Sequence, residues 1–201
     1  MITFLILLFL GFLFVLFVSL SEVVFRRKNT RKEITRVIIR IFTGIFFIFL
    51  YLNFNIFYFI LIVFVSLFIM IFSFVFNIFT SIHSVDRKTY GEILFPLGVL
   101  IALWVSYPFS SIFLSSLLIL TFADSFAIIP GFIKKSKKKT IYGSLIFFVV
   151  SFLILSLFFE NTIMAMIFIS FILTVIEFVS TYGLDDLFVP VVASILLLFI
   201  R

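Results

Sequence analysis

The chain contains no cysteine and a single histidine. Without cysteine there is no disulfide, no thiolate metal site and no cysteine nucleophile. One histidine, His83, cannot build a multi-histidine metal centre, and it reads as a solvated interfacial residue rather than a catalytic base. Charge is also scarce: 12% of residues are charged, where a soluble domain typically carries about 25%. The longest polar stretch, residues 26–36, is too short to fold by itself. No large water-soluble domain is therefore expected.

What the sequence has in quantity is apolar surface. Hydrophobic residues make up 65% of the 201 positions. They come in runs of about 16 to 27, long enough to cross a ~30 Å hydrocarbon layer at ~1.5 Å per residue. The 35 phenylalanines, with the isoleucines and leucines, read as interchangeable lipid-facing residues and not as an aromatic recognition surface. The fold class implied is all-α, a polytopic transmembrane helical bundle of about eight helices. It forms one integral membrane domain over residues 1–201, with a first span and basic loop at 1–36 and a core at 37–201. The spans expected are 2–24, 37–52, 56–80, 93–107, 110–123, 141–159, 162–179 and 188–200. The fourth, fifth and eighth are short, so partly re-entrant segments are an alternative there. Residues 1–20 could mimic a secretory signal, but no basic segment precedes the apolar run, which favours a first transmembrane helix.

The charges test this count. With the N-terminus outside, the cytoplasmic loops are 25–36, 81–92, 124–140 and 180–187. These loops, with Arg36 and Arg40 at the mouth of the second span, hold every basic residue except Arg201. Basic residues are retained on the cytoplasmic side, so the asymmetry predicts a multi-pass protein in a cell membrane or endomembrane with this orientation. The formal charge of +6 is then explained by topology and anionic lipid headgroups, with no nucleic acid partner expected. Of the nine acidic residues only Glu160 faces out, and Glu177 lies about one turn inside the membrane from the last loop. Carboxylates and lysines gathered at one face suit a site that handles a metal–nucleotide complex beside lipid.

Three constellations carry the chemistry. The first runs from Asp124 through Lys134, Lys135 and Lys138 to Lys139, Thr140, Gly143 and Ser144. Asp124 ends an apolar span, where a hard cation such as Mg²⁺ offsets the cost of a carboxylate. The lysines and a backbone-exposing glycine suit phosphates. The plainer alternative is that Asp124 pairs with a lysine and the remaining lysines anchor topology. The second constellation is Glu177 with Asp185, Asp186 and Pro190. Either aspartate suits a helix N-cap, and both suit a second carboxylate set for the metal. The third is Tyr90, Gly91 and Glu92 followed by Pro96, which by itself is an ordinary loop leading into a helix.

In their order these segments resemble the dolichol kinase and phytol kinase family, CTP-dependent lipid kinases related to phosphatidate cytidylyltransferases. The resemblance spans roughly residues 31–195, the kinase-like core. EITRVIIRIFTG, residues 33–44, is similar to the family's charged segment before a glycine, with Arg40 where a histidine is usual. Lys88-Thr89-Tyr90-Gly91 followed by Phe95-Pro96-Leu97-Gly98 looks like its Ser-Tyr-Gly and aromatic-Pro-Leu-Gly signature. Asp124-Ser125-Phe126-Ala127 resembles its Asp-x-x-Ala loop, with Ala123 replacing a glycine. Lys139-Thr140 with Gly143-Ser144 resembles Lys-Ser-x-Glu-Gly-Ser, with Tyr142 in place of the glutamate. Glu177 and Gly183-Leu184-Asp185-Asp186-Leu187 resemble the closing Glu…Gly-Leu-Asp-Asn-Leu segment.

The resemblance implies CTP-dependent phosphorylation of a membrane isoprenoid alcohol at the cytoplasmic face. Asp124 and Asp185, with Glu177 or Asp186, would bind Mg²⁺ or position the alcohol. Lys139 and nearby lysines would neutralise charge on the transferred phosphoryl group. The alternatives are a cytidylyltransferase that makes a CDP-lipid and a non-catalytic scaffold or transporter. Homo-oligomerisation stays open.

Overall fold

Apolar runs leave the backbone few ways to satisfy its polar groups away from water, and the helix is the local one. The computed structural model describes residue 11 and residues 32–76, 90–133, 139–160 and 163–200, and every regular element among them is helical. The chain divides into two compact units, Met1–Thr89 and Tyr90–Arg201.

In the first unit, α1 (Lys32–Asn53) and α2 (Ile56–Phe76) form a helical hairpin. Asn55 begins α2, its Oδ1 accepting from the Phe57 N–H at 3.0 Å, as an N-terminal polar side chain does for an orphan amide. Phe47, Leu50, Phe59 and Val63 are fully buried. The Phe59 ring meets Phe47 and Tyr51 edge-on at 6.2 and 5.5 Å, a geometry that suits the ring quadrupole. The outer surface of α2 is apolar as well, with Phe57, Phe64, Val65, Phe68 and Phe72 exposed. A helix apolar all round belongs in a protein interior or a membrane.

The second unit holds α3 (Gly91–Ser106), α4 (Ser110–Gly131), α5 (Ile141–Phe158), α6 (Ile163–Val179) and α7 (Asp185–Ile200). Its core joins Ile112, Ile119 and Ala123 of α4 to Phe147 and Leu155 of α5, Ile169 and Leu173 of α6, and Val189 and Ala193 of α7. Buried alcohols interrupt this surface, and most close on their own helix. Ser115 donates to the Ile112 carbonyl, Ser116 to Phe113, Thr121 to Leu117 and Ser194 to Pro190. Small side chains satisfied in this way let helix backbones come close without stranding a polar group.

Two approaches are close enough to require glycine. A Cβ on Gly98 of α3 would lie 2.3 Å from the Asp186 carbonyl oxygen of α7. That carbonyl is the one whose helical partner, four residues on, is Pro190, which has no N–H. A Cβ on Gly143 of α5 would lie 2.3 Å from the Ala127 carbonyl oxygen of α4.

Among the described residues three helices are long and apolar enough to cross a membrane: Ile56–Phe76, Ser110–Gly131 and Ile141–Phe158. Helices also lie at the expected spans 37–52, 93–107, 162–179 and 188–200, as Lys32–Asn53, Gly91–Ser106, Ile163–Val179 and Asp185–Ile200 to within a few residues at their ends. Three boundaries differ from expectation by three residues or more, the first being that α1 begins at Lys32 rather than 37, inside the expected loop 25–36. The span expected to stop at 123 continues to Gly131, so Asp124 lies within a helix and not at its end. The last helix begins at Asp185 rather than 188. The expected span 2–24, His83 and most of loop 81–92 lie outside the described residues, residue 11 and residues 90–92 apart.

Candidate functional site

Four helix ends and one helix interior converge at one end of the second unit. Midway along α4 the backbone makes a wide π turn at Ile119–Ala123, immediately before Asp124. Such a turn takes in an extra residue and rotates the rest of the helix by about 100° in phase. Ala123 at its end and Asp124 and Ser125 just past it are all buried. At the end of α6, Glu177 is buried in the last turn.

The chain then reverses through Tyr182 (φ 58°) and Gly183 (φ 84°), two successive left-handed residues. At Gly183 a side chain would also strike the Gly91 amide nitrogen, 2.5 Å from the Cβ position. Only glycine combines that dihedral with that contact. The Tyr90 N–H donates to the Tyr182 carbonyl at 2.9 Å and ties the start of α3 to this turn. From here α7 starts with Asp185 and Asp186 in its first turn, where negative charge meets the positive end of the helix dipole.

Lys139 and Thr140 complete the site from the start of α5. Thr140 is the N-cap of α5, its extended backbone letting Oγ1 accept from the Gly143 N–H at 3.1 Å. The cap directs the preceding Lys139 across the gap between α6 and α7. Its Nζ lies 2.9 Å from Glu177 Oε1 and 2.8 Å from Asp185 Oδ2, and it donates to the Glu177 backbone carbonyl as well. That carbonyl belongs to the last turn of α6, where an intrahelical donor is lacking and a cation is favoured. Ser144, one turn into α5, donates to Glu177 Oε2 at 3.2 Å. Carboxylate oxygens of Asp124, Glu177 and Asp185 all lie within 4.8 Å of one another. This is an all-oxygen donor set, and hard cations such as Mg²⁺ and Ca²⁺ take such ligands. One ammonium serves two of these carboxylates, Glu177 and Asp185, in direct contact.

Of the residues named from sequence, Asp124, Glu177, Asp185, Lys139 and Ser144 meet in this cluster. Asp186 is fully buried in the first turn of α7 but is not one of the three grouped carboxylates. Gly143 faces the Ala127 carbonyl and Thr140 caps its helix. Tyr90 and Gly91 hold the turn that precedes Asp185. Arg40 is buried on α1 and Arg36 lies in the same helix, both in the first unit. Lys134, Lys135 and Lys138 lie outside the described residues. Sequence reasoning missed the two-carboxylate grip on Lys139, for which no spacing rule exists across 38 and 46 residues. It also missed the π turn at Ile119–Ala123, because Asp124 reads in sequence as the end of a span.

No family model, curated protein or solved structure matches the chain.

Proposed function

We propose that the chain is a multi-pass membrane kinase that moves the γ-phosphoryl group of CTP to the hydroxyl of a membrane isoprenoid alcohol at the cytoplasmic face. The observation that carries the reading is the meeting of Asp124, Glu177 and Asp185 within 4.8 Å, with Lys139 among them. These residues come from three separate segments of the motif order that resembles the dolichol and phytol kinases. Apolar side chains exposed around the second unit, among them Trp104, Leu157, Met164 and Phe199, favour lipid as the surrounding medium. The site at one end of the helices then lies at the membrane surface, where nucleotide arrives from water and a greasy alcohol arrives from the side.

In this reading Asp124, Glu177 and Asp185 would hold a divalent cation, which would supply charge neutralisation to the triphosphate. Ser144 keeps the Glu177 carboxylate turned toward the group. Lys139 moves its ammonium onto phosphate oxygens and stabilises the charge that develops on the transferred group. The alcohol oxygen bonds to the γ-phosphorus as the bond to the β–γ bridging oxygen breaks. CDP leaves, and the hydroxyl proton passes to a nearby carboxylate or to solvent.

The test incubates membranes containing the overexpressed chain with γ-labelled CTP and a panel of isoprenoid alcohols and diacylglycerol. Label in the lipid fraction together with released CDP is the expected result. Pyrophosphate release with cytidine in the lipid assigns cytidylyl transfer instead. No transfer from any nucleotide to any of these lipids rejects the kinase.

A further inference from the structure

Lys139 is bound to two of the three carboxylates that would hold the divalent cation of the proposed kinase. Its Nζ contacts Glu177 Oε1 and Asp185 Oδ2 at 2.9 and 2.8 Å, and these two residues supply two of the three clustered carboxylates. An ammonium and a divalent cation cannot share the same carboxylate oxygens at such distances without strong repulsion. The side chain is nevertheless 26% exposed, while Glu177 and Asp185 side chains are 6% and 12% exposed. The lysine therefore enters from the open side of the cluster, on a flexible four-carbon stem, and the carboxylates form its floor.

We infer that Lys139 is an exchangeable internal counter-ion that holds the site closed against free metal and releases it to metal arriving with nucleotide. The inference rests on the metal in the proposed kinase reading and adds to it the order of events. With no ligand present, the ammonium neutralises Glu177 and Asp185. A divalent cation alone must expel it into water with no new partner, so free metal binds weakly. A metal–triphosphate complex brings phosphate oxygens with it, and the ammonium moves from carboxylate to phosphate without losing a charged partner. Metal and nucleotide thereby bind with positive coupling, and by linkage each raises the affinity for the other by the same factor. Thr140 makes the exchange local, because its cap on Gly143 holds the start of α5 while the lysine stem swings.

The experiment uses the full chain in detergent or nanodiscs, with amine acylation of Lys139 read by peptide mass spectrometry. Mn²⁺ is the metal probe, and its binding is followed in parallel by electron paramagnetic resonance. Saturating Mn²⁺ should raise acylation of Lys139, and CTP added with Mn²⁺ should lower it again. CTP should tighten Mn²⁺ binding by about tenfold or more, the usual range of such couplings. The Lys139→Met variant should bind Mn²⁺ more tightly than the native chain and lose the response to CTP. Acylation that Mn²⁺ leaves unchanged, Mn²⁺ affinity indifferent to CTP, or no Mn²⁺ binding at all overturns the inference. If the variant does not fold, the two measurements on the native chain decide. Lipid phosphorylation with an unresponsive Lys139 removes the counter-ion exchange and leaves the kinase. A responsive Lys139 in a chain that phosphorylates no lipid removes the kinase and leaves the exchange.

Discussion

At the residue scale, Asp124 shows how a cost and a use coincide. A carboxylate 3% exposed inside an apolar helix is expensive, and such residues within membrane-crossing segments are retained for function. Asp124→Asn keeps the side-chain volume and removes the charge. Its expected effect is a loss of about 100-fold or more in turnover, the scale on which transition-state charge stabilisation is lost. Steady-state transfer assays on variant membranes check this, with thermal unfolding of the purified variant as the control for folding. Turnover within a few-fold of the native chain would remove Asp124 from the chemistry. The carboxylates that meet at the site were legible one by one, because an acid in or beside an apolar run is conspicuous. Which of them meet was not legible. Asp185 and Asp186 are adjacent and alike in sequence, and only the start of α7 sends one of them to Lys139.

Helix crossings govern the site at the scale of elements. Gly98 lets α3 lie against the carbonyl of Asp186, and Gly143 lets α5 lie against that of Ala127. Gly98→Ala puts a methyl group 2.3 Å from backbone, which cannot turn aside as a side-chain tip can. The helices must separate, at a cost of about 1–3 kcal/mol. A lower unfolding temperature is expected, along with loss of activity as α7 and Asp185 move away. A Gly98→Ala chain as stable as the native one would show that α3 and α7 do not touch there. Thr140→Val removes the oxygen that accepts from the Gly143 N–H, and a loss of about 1 kcal/mol is expected for such a cap. Hydrogen exchange at Gly143 should quicken in that variant, and exchange at the native rate would count against the cap. Both glycines appear in sequence as members of motifs, but their work is steric and depends on which neighbour arrives. The extension of α4 to Gly131 has the same origin. Asp124, the Pro130-Gly131 pair and the lysines beyond it read as a loop, whereas the segment stays helical to Gly131 with its Ala127 carbonyl against Gly143 of α5.

For the whole molecule, apolar content and charge placement make one joint prediction. Three helices among the described residues are long and apolar enough to cross a membrane, and the chain should remain with membranes after alkaline extraction. Because cysteine is absent, single cysteines introduced at chosen positions report topology without background. A cysteine replacing Asn161 should react with a membrane-impermeant maleimide in intact cells. One replacing Ser136 should react only after permeabilisation. The reverse pattern, or equal labelling of both, would overturn the orientation on which a cytoplasmic site depends. The described loop ends agree at the level of a single unit: Tyr90 meets Tyr182, and Lys139 meets Glu177 and Asp185. Three of the four loops expected on one face therefore have their described ends together.

Sequence by itself determined the helical class and the approximate position of each described helix. Those rest on run length and on the need of every backbone amide for a partner, both of which are properties of local segments. It also marked the acids and lysines worth watching, because charge stands out against an apolar chain. The tertiary structure alone decided which of them share oxygens within 4.8 Å and which cation they grip. Such contacts join residues 38 to 46 positions apart. They depend on a π turn, two glycine crossings and a left-handed reversal, whose combined effect on direction no local pattern encodes.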